Sequence, residues 1–384
     1  MQINKPFLII PKLIEQPTWG GNYIIQKKNW LKKPLFNSLK IGQSYELYGD
    51  SKLSSILTDS DDERFEPDLQ YSSGKIKLSS VPSIPLKDFI LSNPKNVLGP
   101  KYGNVHKDMP ILIKFTQALG NSFQLHIRND AISPQWQAKP ESWYYFEKGK
   151  ITGGIQKQCD ISTYKTVCSL IDNKMKELSQ FIQTKVKSFE DATHEAKEYI
   201  RKLNPWQFVN VYTVDKNTIV DLSSGGIHHS WEEDALTIPN GNILYEVQVD
   251  IPDEKSTVRC FDQGKFQKDG SIRKIHIDDY FSYLDTLEEN NDPSHLIRKK
   301  INNTIFDTKY YTTDEIEITK HIADSTGDSF VHLFVRKGIV YIKTKTDTIR
   351  LTEGHSVFIP WIVKTYDLVT ETTRSNILKT YIRS

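Results

Sequence analysis

From Ser169 to Leu203, apolar residues fall at Ile171, Met175, Leu178, Ile182, Val186, Phe189, Ala196, Ile200 and Leu203. Steps of three and four put them on one helical face. The run is long enough for two helices, and Asn204-Pro205 ends it. On both sides the period is two. YELY (45–48), PILIKF (110–115), SFQLHI (122–127) and SWYYF (142–146) come before it, and FVNVYTV (208–214), TIVDL (218–222) and NILYEVQVDI (242–251) come after. Gly, Asn, Asp and Pro separate these segments, as expected of strands and turns. A polar, partly helical connector spans about 277–302, and strand character returns in SFVHLFV (329–335), GIVYIKT (338–344), DTIRL (347–351) and SVFIP (356–360).

The pattern predicts a mostly β protein, two cupin-like jelly-roll barrels with a helical insert. The tail supports this with a Gly turn at Gly338, two strands, a second Gly turn and a Pro-terminated strand. The expected organisation is 1–160, first part of a catalytic barrel; 161–205, helical insert; 206–276, second part of that barrel; 277–302, connector; and 303–384, a C-terminal barrel without metal. At 384 residues the chain exceeds one ordinary core. A net charge of +2 gives no reason to expect a nucleic-acid partner, and no apolar run approaches the ~18–20 residues of a membrane span. Cys159, Cys168 and Cys260 form no CxxC, and the N-terminus has no small-residue cleavage site, so a cytoplasmic protein is expected. The oligomeric state is not encoded in any of these features.

The chemistry concentrates in NSFQLHIRNDAISPQWQAKPESWYYF, residues 121–146. Residues i and i+2 of a strand share a face, so Ser122, Gln124 and His126 point one way and Phe123 and Leu125 the other. A polar row inside a small barrel needs partners, because each unpaired buried polar group costs on the order of 1–3 kcal/mol. A metal supplies them: imidazole, carboxylate and amide oxygen together suit a borderline divalent ion such as Zn²⁺. Glu141 can return on a neighbouring strand, and a second imidazole comes from GGIHH (225–229). Strand alternation points His228 and His229 to opposite faces, so only one enters the cavity without a bulge. A single histidine in a barrel is more often a core or surface residue than a ligand. His106, His194, His295, His321, His332 and His355 stand without such company and read that way.

At this point the chain resembles the type I mannose-6-phosphate isomerases, zinc enzymes of the cupin superfamily. The resemblance runs through TWGGNYI (18–24), IGQSYEL (41–47, against the family's Ile-Gly-Glu-Ser-Trp-Glu), PILIKFTQALGNSFQLH (110–126) and KPESWYY (139–145). It continues through GGIHH (225–229), EVQ (246–248), STVR (256–259), FDQGK (261–265) and IRKIH (272–276). It implies one Zn²⁺ per chain on Gln124, His126, Glu141 and His228, an active-site arginine at Arg259, and a carboxylate near the metal at Glu246. Ser122 and Lys139 would hold a sugar phosphate. The implied reaction interconverts mannose 6-phosphate and fructose 6-phosphate through an enediolate. Arg259 would stabilise the enediolate or the phosphate, and Glu246 or a water at the metal would carry the proton.

The chain departs from the family in several places. Ile127-Arg128 follow His126 where a Pro is usual, Gly226 replaces a Thr, and His229 replaces a small Ala. SWEEDALTIPNG lengthens the interval from His228 to Glu246, and Glu246 to Arg259 is slightly long. The insert is expected to form a longer turn near the cavity mouth. Two other readings compete with the isomerase. A non-catalytic sugar- or sugar-phosphate-binding cupin would tolerate loss of the ligands or Arg259, but all are present. A cupin oxygenase would favour a His-rich iron site, whereas one ligand here is an amide.

Overall fold

In each alternating segment the apolar members turn to one of three cores, and those cores define the layers. The computed structural model describes residues 3–56, 59–120, 122–230 and 236–382, except the side chains of His229 and Ser230. Its strands form sheets of nine, five, eight and four. The nine-stranded sheet carries the strands Lys12–Glu15, Ile41–Leu47, Ile111–Ala118, Glu141–Tyr145 and Asn242–Val249. The five-stranded sheet carries Phe123–His126, Gly149–Ile155, Gly226–Ser230 and Val258–Phe261 and faces it. The eight- and four-stranded sheets enclose the C-terminal core, where Leu333, Phe334, Val357 and Ile377 meet Val340, Ile342 and Leu368.

The fold is mostly β with a helical insert. Each expected barrel is a pair of facing sheets, and among the described residues no sheet closes on itself. Edge strands such as Ile76–Lys77, exposed at both residues, end the ladders. The chain's beginning also crosses over. Phe7 pairs with Phe358, and Ile9 with Leu53, so strand Phe7–Ile10 lies in the eight-stranded sheet with the C-terminal strands. Residues Tyr23–Lys27 form a short helix, and the lysine after it, Lys28, is wholly buried. Its ammonium lies 2.7 Å from Glu46, whose carboxylate also accepts 2.6 Å hydrogen bonds from Ser44 and Ser356. A buried ion pair is tolerated when its remaining lone pairs are satisfied in this way.

The helical insert is two helices, Ile161–Gln183 and Phe189–Leu203. Asp160 caps the first through Ser162 N and Thr163 N, and Ser188 caps the second through Asp191 N. Asn204 at φ 45° ends the pair in the left-handed region, followed by Pro205. Tyr164, Val167 and Cys168 extend the buried stripe one and a half turns ahead of Ser169. Val186 lies between the helices and is exposed. Ile171, Met175, Leu178, Ala196 and Ile200 pack on Phe123, Leu125, Val258 and Cys260, the outer face of the five-stranded sheet. The insert therefore backs the strands whose polar residues face inward. No described helix is long and apolar enough to cross a membrane.

Candidate metal centre and its cavity

Alternation builds the site from both sheets. On Phe123–His126, Phe123 and Leu125 enter the core under the helices, which turns Gln124 and His126 to the opposite face. Antiparallel register then sets His228 beside Gln124 on one side and Arg259 beside it on the other. Across the gap, Glu141 and Trp143 share a face of their strand, Glu246 pairs with Trp143, and Lys114 pairs with Glu246. Gln124, His126, Lys139, Glu141, Trp143 and Glu246 line one cavity together with Lys114, Arg259 and Arg273.

His126 and Glu141 line this cavity, and with His228 they form a buried group whose ligand atoms lie within 4.8 Å of one another. Among the described residues this is the one group of three or more His, Cys, Asp or Glu side chains so arranged. His126 Nε2 is 3.3 Å from Glu141 Oε2, and the two imidazole rings are 4.5 Å apart. His126 Nδ1 lies 2.7 Å from the Ser256 carbonyl and His228 Nδ1 3.2 Å from the Gly226 carbonyl. A carbonyl only accepts, so each Nδ1 carries a proton, which leaves each Nε2 as the ring atom available to a metal. The buried Nε2 of His228 has no hydrogen-bond partner. Trp143 Nε1 donates to Glu141 Oε1, which orients the carboxylate. Burial opposes the charge on Glu141, but the hydrogen bond with His126 and the field of His228 outweigh it, and the carboxyl is held well below its usual range. Burial, reinforced by His126, pushes the His228 pKa down to about 3, so the ring is neutral. Two imidazoles each held at Nδ1 by a backbone carbonyl, one ionised carboxylate and an orphaned buried nitrogen fit a divalent cation of the zinc class.

The rest of the cavity is charged. Burial raises Glu246 to about 7, against the pull of Lys114 at 3.6 Å and with a contribution from Glu141. Lys139 is buried and pairs with exposed Asp253 at 2.7 Å. Arg259 has its Nε buried without a partner and one guanidinium nitrogen 3.9 Å from Asp253. Burial, then the neighbouring Arg273, lowers its pKa. Thr257 shares the cavity face with Arg259 while Val258 packs in the core. Ser122 is fully buried but is not among the cavity-lining residues, because the strand begins at Phe123 and alternation does not reach back to it.

Sequence reasoning missed Lys114, Thr116, Gln43, Gln16, Trp19 and Arg273. Lys114 had a signal: a lysine in the middle of an otherwise apolar strand, ILIKF, is out of place unless a carboxylate meets it. His229 pairs through its backbone with Thr152, but its side chain lies outside the described residues, as do residues 231–235 of the insert expected to form a longer turn. The C-terminal histidines lie elsewhere. His332 is buried with its pKa lowered to about 3 by burial and Lys28, and His355 packs against Trp30 and Phe65. A larger cavity of about 530 Å³ lies on the back of the nine-stranded sheet, compared with about 110 Å³ for the site. Several of its charges are already paired, as in Lys27–Glu353 at 2.8 Å and Arg336–Glu315 at 2.7 Å, and no histidine lines it. The convergent lone pairs are in the smaller one.

No protein-family model and no curated protein matches this sequence. Solved structures do match over essentially the whole chain. A protein from Archaeoglobus fulgidus described as a mannosephosphate isomerase aligns with TM-score 0.63 and 16% identity over 100% of both chains. The mannose 6-phosphate isomerase of Bacillus subtilis aligns with TM-score 0.64 and 13% identity over 98% of this chain and 99% of that one. The Salmonella typhimurium mannose 6-phosphate isomerase, solved with fructose 6-phosphate and zinc, aligns with TM-score 0.61 and 12% identity over 98% and 100%. At such identities the likeness is one of fold: this chain has the fold of the mannose 6-phosphate isomerases.

Proposed function

We propose that the protein is a zinc-dependent aldose–ketose isomerase that interconverts mannose 6-phosphate and fructose 6-phosphate. The observation that carries this reading is the buried His126–Glu141–His228 group at a cavity that also holds Lys114, Lys139, Glu246, Arg259 and Arg273. The fold neighbours, one of them solved with fructose 6-phosphate and zinc, support it. His126, Glu141, His228 and the Gln124 amide would hold the ion. Bound there, zinc supplies Lewis-acid polarisation of the substrate's oxygens.

The remaining chemistry belongs to side chains. Four cations line the cavity against three carboxylates, one of which titrates near neutrality, and that balance suits a phosphate ester. Lys139, Arg259 and Arg273 are the candidate phosphate and enediolate partners; arginine cannot readily give up a proton and so serves as a fixed charge. Glu246, raised to about 7, takes the C2 proton of the aldose as the enediolate forms and returns it to C1, while the O2 hydroxyl proton passes to O1, which gives the ketose. Lys114, 3.6 Å away, keeps a counter-charge beside it during the transfer. No atoms are gained or lost in the cycle.

Conversion of mannose 6-phosphate, followed by a coupled assay with glucose 6-phosphate as the control substrate, tests this. The metal-loaded protein is expected to produce fructose 6-phosphate from mannose 6-phosphate, and a chelator to abolish that activity until zinc is restored. Binding of the sugar phosphate without turnover would instead make the protein a binding module.

A further inference from the structure

One wall of the cavity is neutral. Gln16, Trp19 and Gln43 line it. Among the described residues neither glutamine side chain has a hydrogen-bond partner, although both amides border a polar cavity. Gln43 pairs in register with Thr116, one step along the sheet from the row of Tyr45, Lys114 and Glu246. It therefore sits beside the groups that handle C1 and C2.

The wall is held rigidly. Trp19 N and Gly20 N donate to Gln16 O at 3.3 and 2.7 Å, and Leu119 N donates to Trp19 O at 2.7 Å. A Cβ on Gly42 would lie 2.4 Å from the Trp19 ring and 2.8 Å from Gln16 Cγ, so only glycine lets the indole lie on the strand. The turn at 16–20 is thereby pinned to both neighbouring strands. The resulting surface is a fixed indole face flanked by two amides, each able to donate and accept. Alternating C–H and O–H groups on a carbon chain match it; a further charge does not.

We propose that Gln43, with Gln16 and Trp19, reads the hydroxyl groups along the substrate's carbon chain and so selects an aldose phosphate whose carbon chain carries neutral hydroxyls. This rests on the isomerase reading and specifies the substrate end that the phosphate partners do not touch. A site built to hydrogen-bond a hydroxyl rejects the analogue that lacks it, because its own polar group is left unpaired.

The test compares wild type, Gln43→Ala and the near-isosteric Gln43→Glu on mannose 6-phosphate and on its 3-, 4- and 5-deoxy analogues, with zinc content and Tm measured alongside. Gln43→Ala is expected to lower kcat/KM on mannose 6-phosphate by about tenfold or more with zinc content unchanged. On the one analogue that lacks the contacted hydroxyl, wild type and variant should be equal. Gln43→Glu should keep the fold and show the same analogue dependence. An equal loss on every substrate, or no loss on any, would overturn the proposal while leaving the isomerase reading intact. A zinc-loaded wild type that neither converts nor binds mannose 6-phosphate would overturn both.

Discussion

Replacing His228 by alanine is expected to remove the metal and the activity together while leaving the fold in place. His228 contributes no protein hydrogen bond through Nε2, so the metal-free protein loses little when the ring is removed. Leaving that nitrogen unpaired in the wild type costs on the order of 1–3 kcal/mol, and its removal offsets part of the packing lost with the ring. Metal affinity should fall by more than ~10²-fold, since loss of groups that merely support a ligand already costs 10–100-fold. The loss of kcat/KM should be roughly 10³-fold, or about 4 kcal/mol of transition-state stabilisation. Thermal melts provide an independent readout. Zinc should raise the wild-type Tm, because a ligand that binds only the folded state stabilises it, and should leave that of the His228→Ala variant unmoved. A variant that kept its zinc at wild-type affinity would remove His228 from the centre.

Arg259→Ala is expected to separate catalysis from metal binding. Arg259 is the register neighbour of Gln124 but offers no lone pair, so zinc content and Tm should stay near wild type. Its buried Nε has no protein partner, and its guanidinium is 3.9 Å from Asp253, too far for a tight pair. The group is therefore free to meet an anion. Losing it should lower kcat/KM by roughly 10²-fold, about 3 kcal/mol, the scale of one electrostatic stabiliser. Arg259→Lys should recover only part, because an ammonium cannot reproduce the planar fork. Steady-state kinetics beside metal analysis decides the matter, and unchanged turnover in Arg259→Ala would make Arg259 a structural arginine.

The sequence revealed the parts of the site that period two controls. Gln124 and His126 on one face, Phe123 and Leu125 on the other, and Thr257 with Arg259 opposite Val258 all follow from alternation within a strand. Where the strand stops, so does the rule, and Ser122 falls one residue short. Lys114 stands out as a lysine within the apolar strand PILIKF, but only the register with Glu246 shows which carboxylate meets it. Arg273 lies outside any strand and has no period to betray it. Long-range pairing was equally illegible. Nothing local in FLII (7–10) states that Phe7 will lie against Phe358, because that choice is made by which core has room for the strand. The helical pair, by contrast, was readable from its stripe and stop signals within 161–205, although the stripe read from Ser169 leaves out Tyr164, Val167 and Cys168.

The central claim is that His126, Glu141 and His228 are brought together to hold one metal ion at the substrate cavity. Diffraction from zinc-loaded crystals on either side of the zinc absorption edge tests it most directly. A single anomalous peak is expected at bonding distance, about 2.0–2.2 Å for zinc with nitrogen and carboxylate ligands, from His126 Nε2, His228 Nε2 and Glu141. A peak elsewhere in the chain, or none at these residues in a crystal of active protein, would contradict the account.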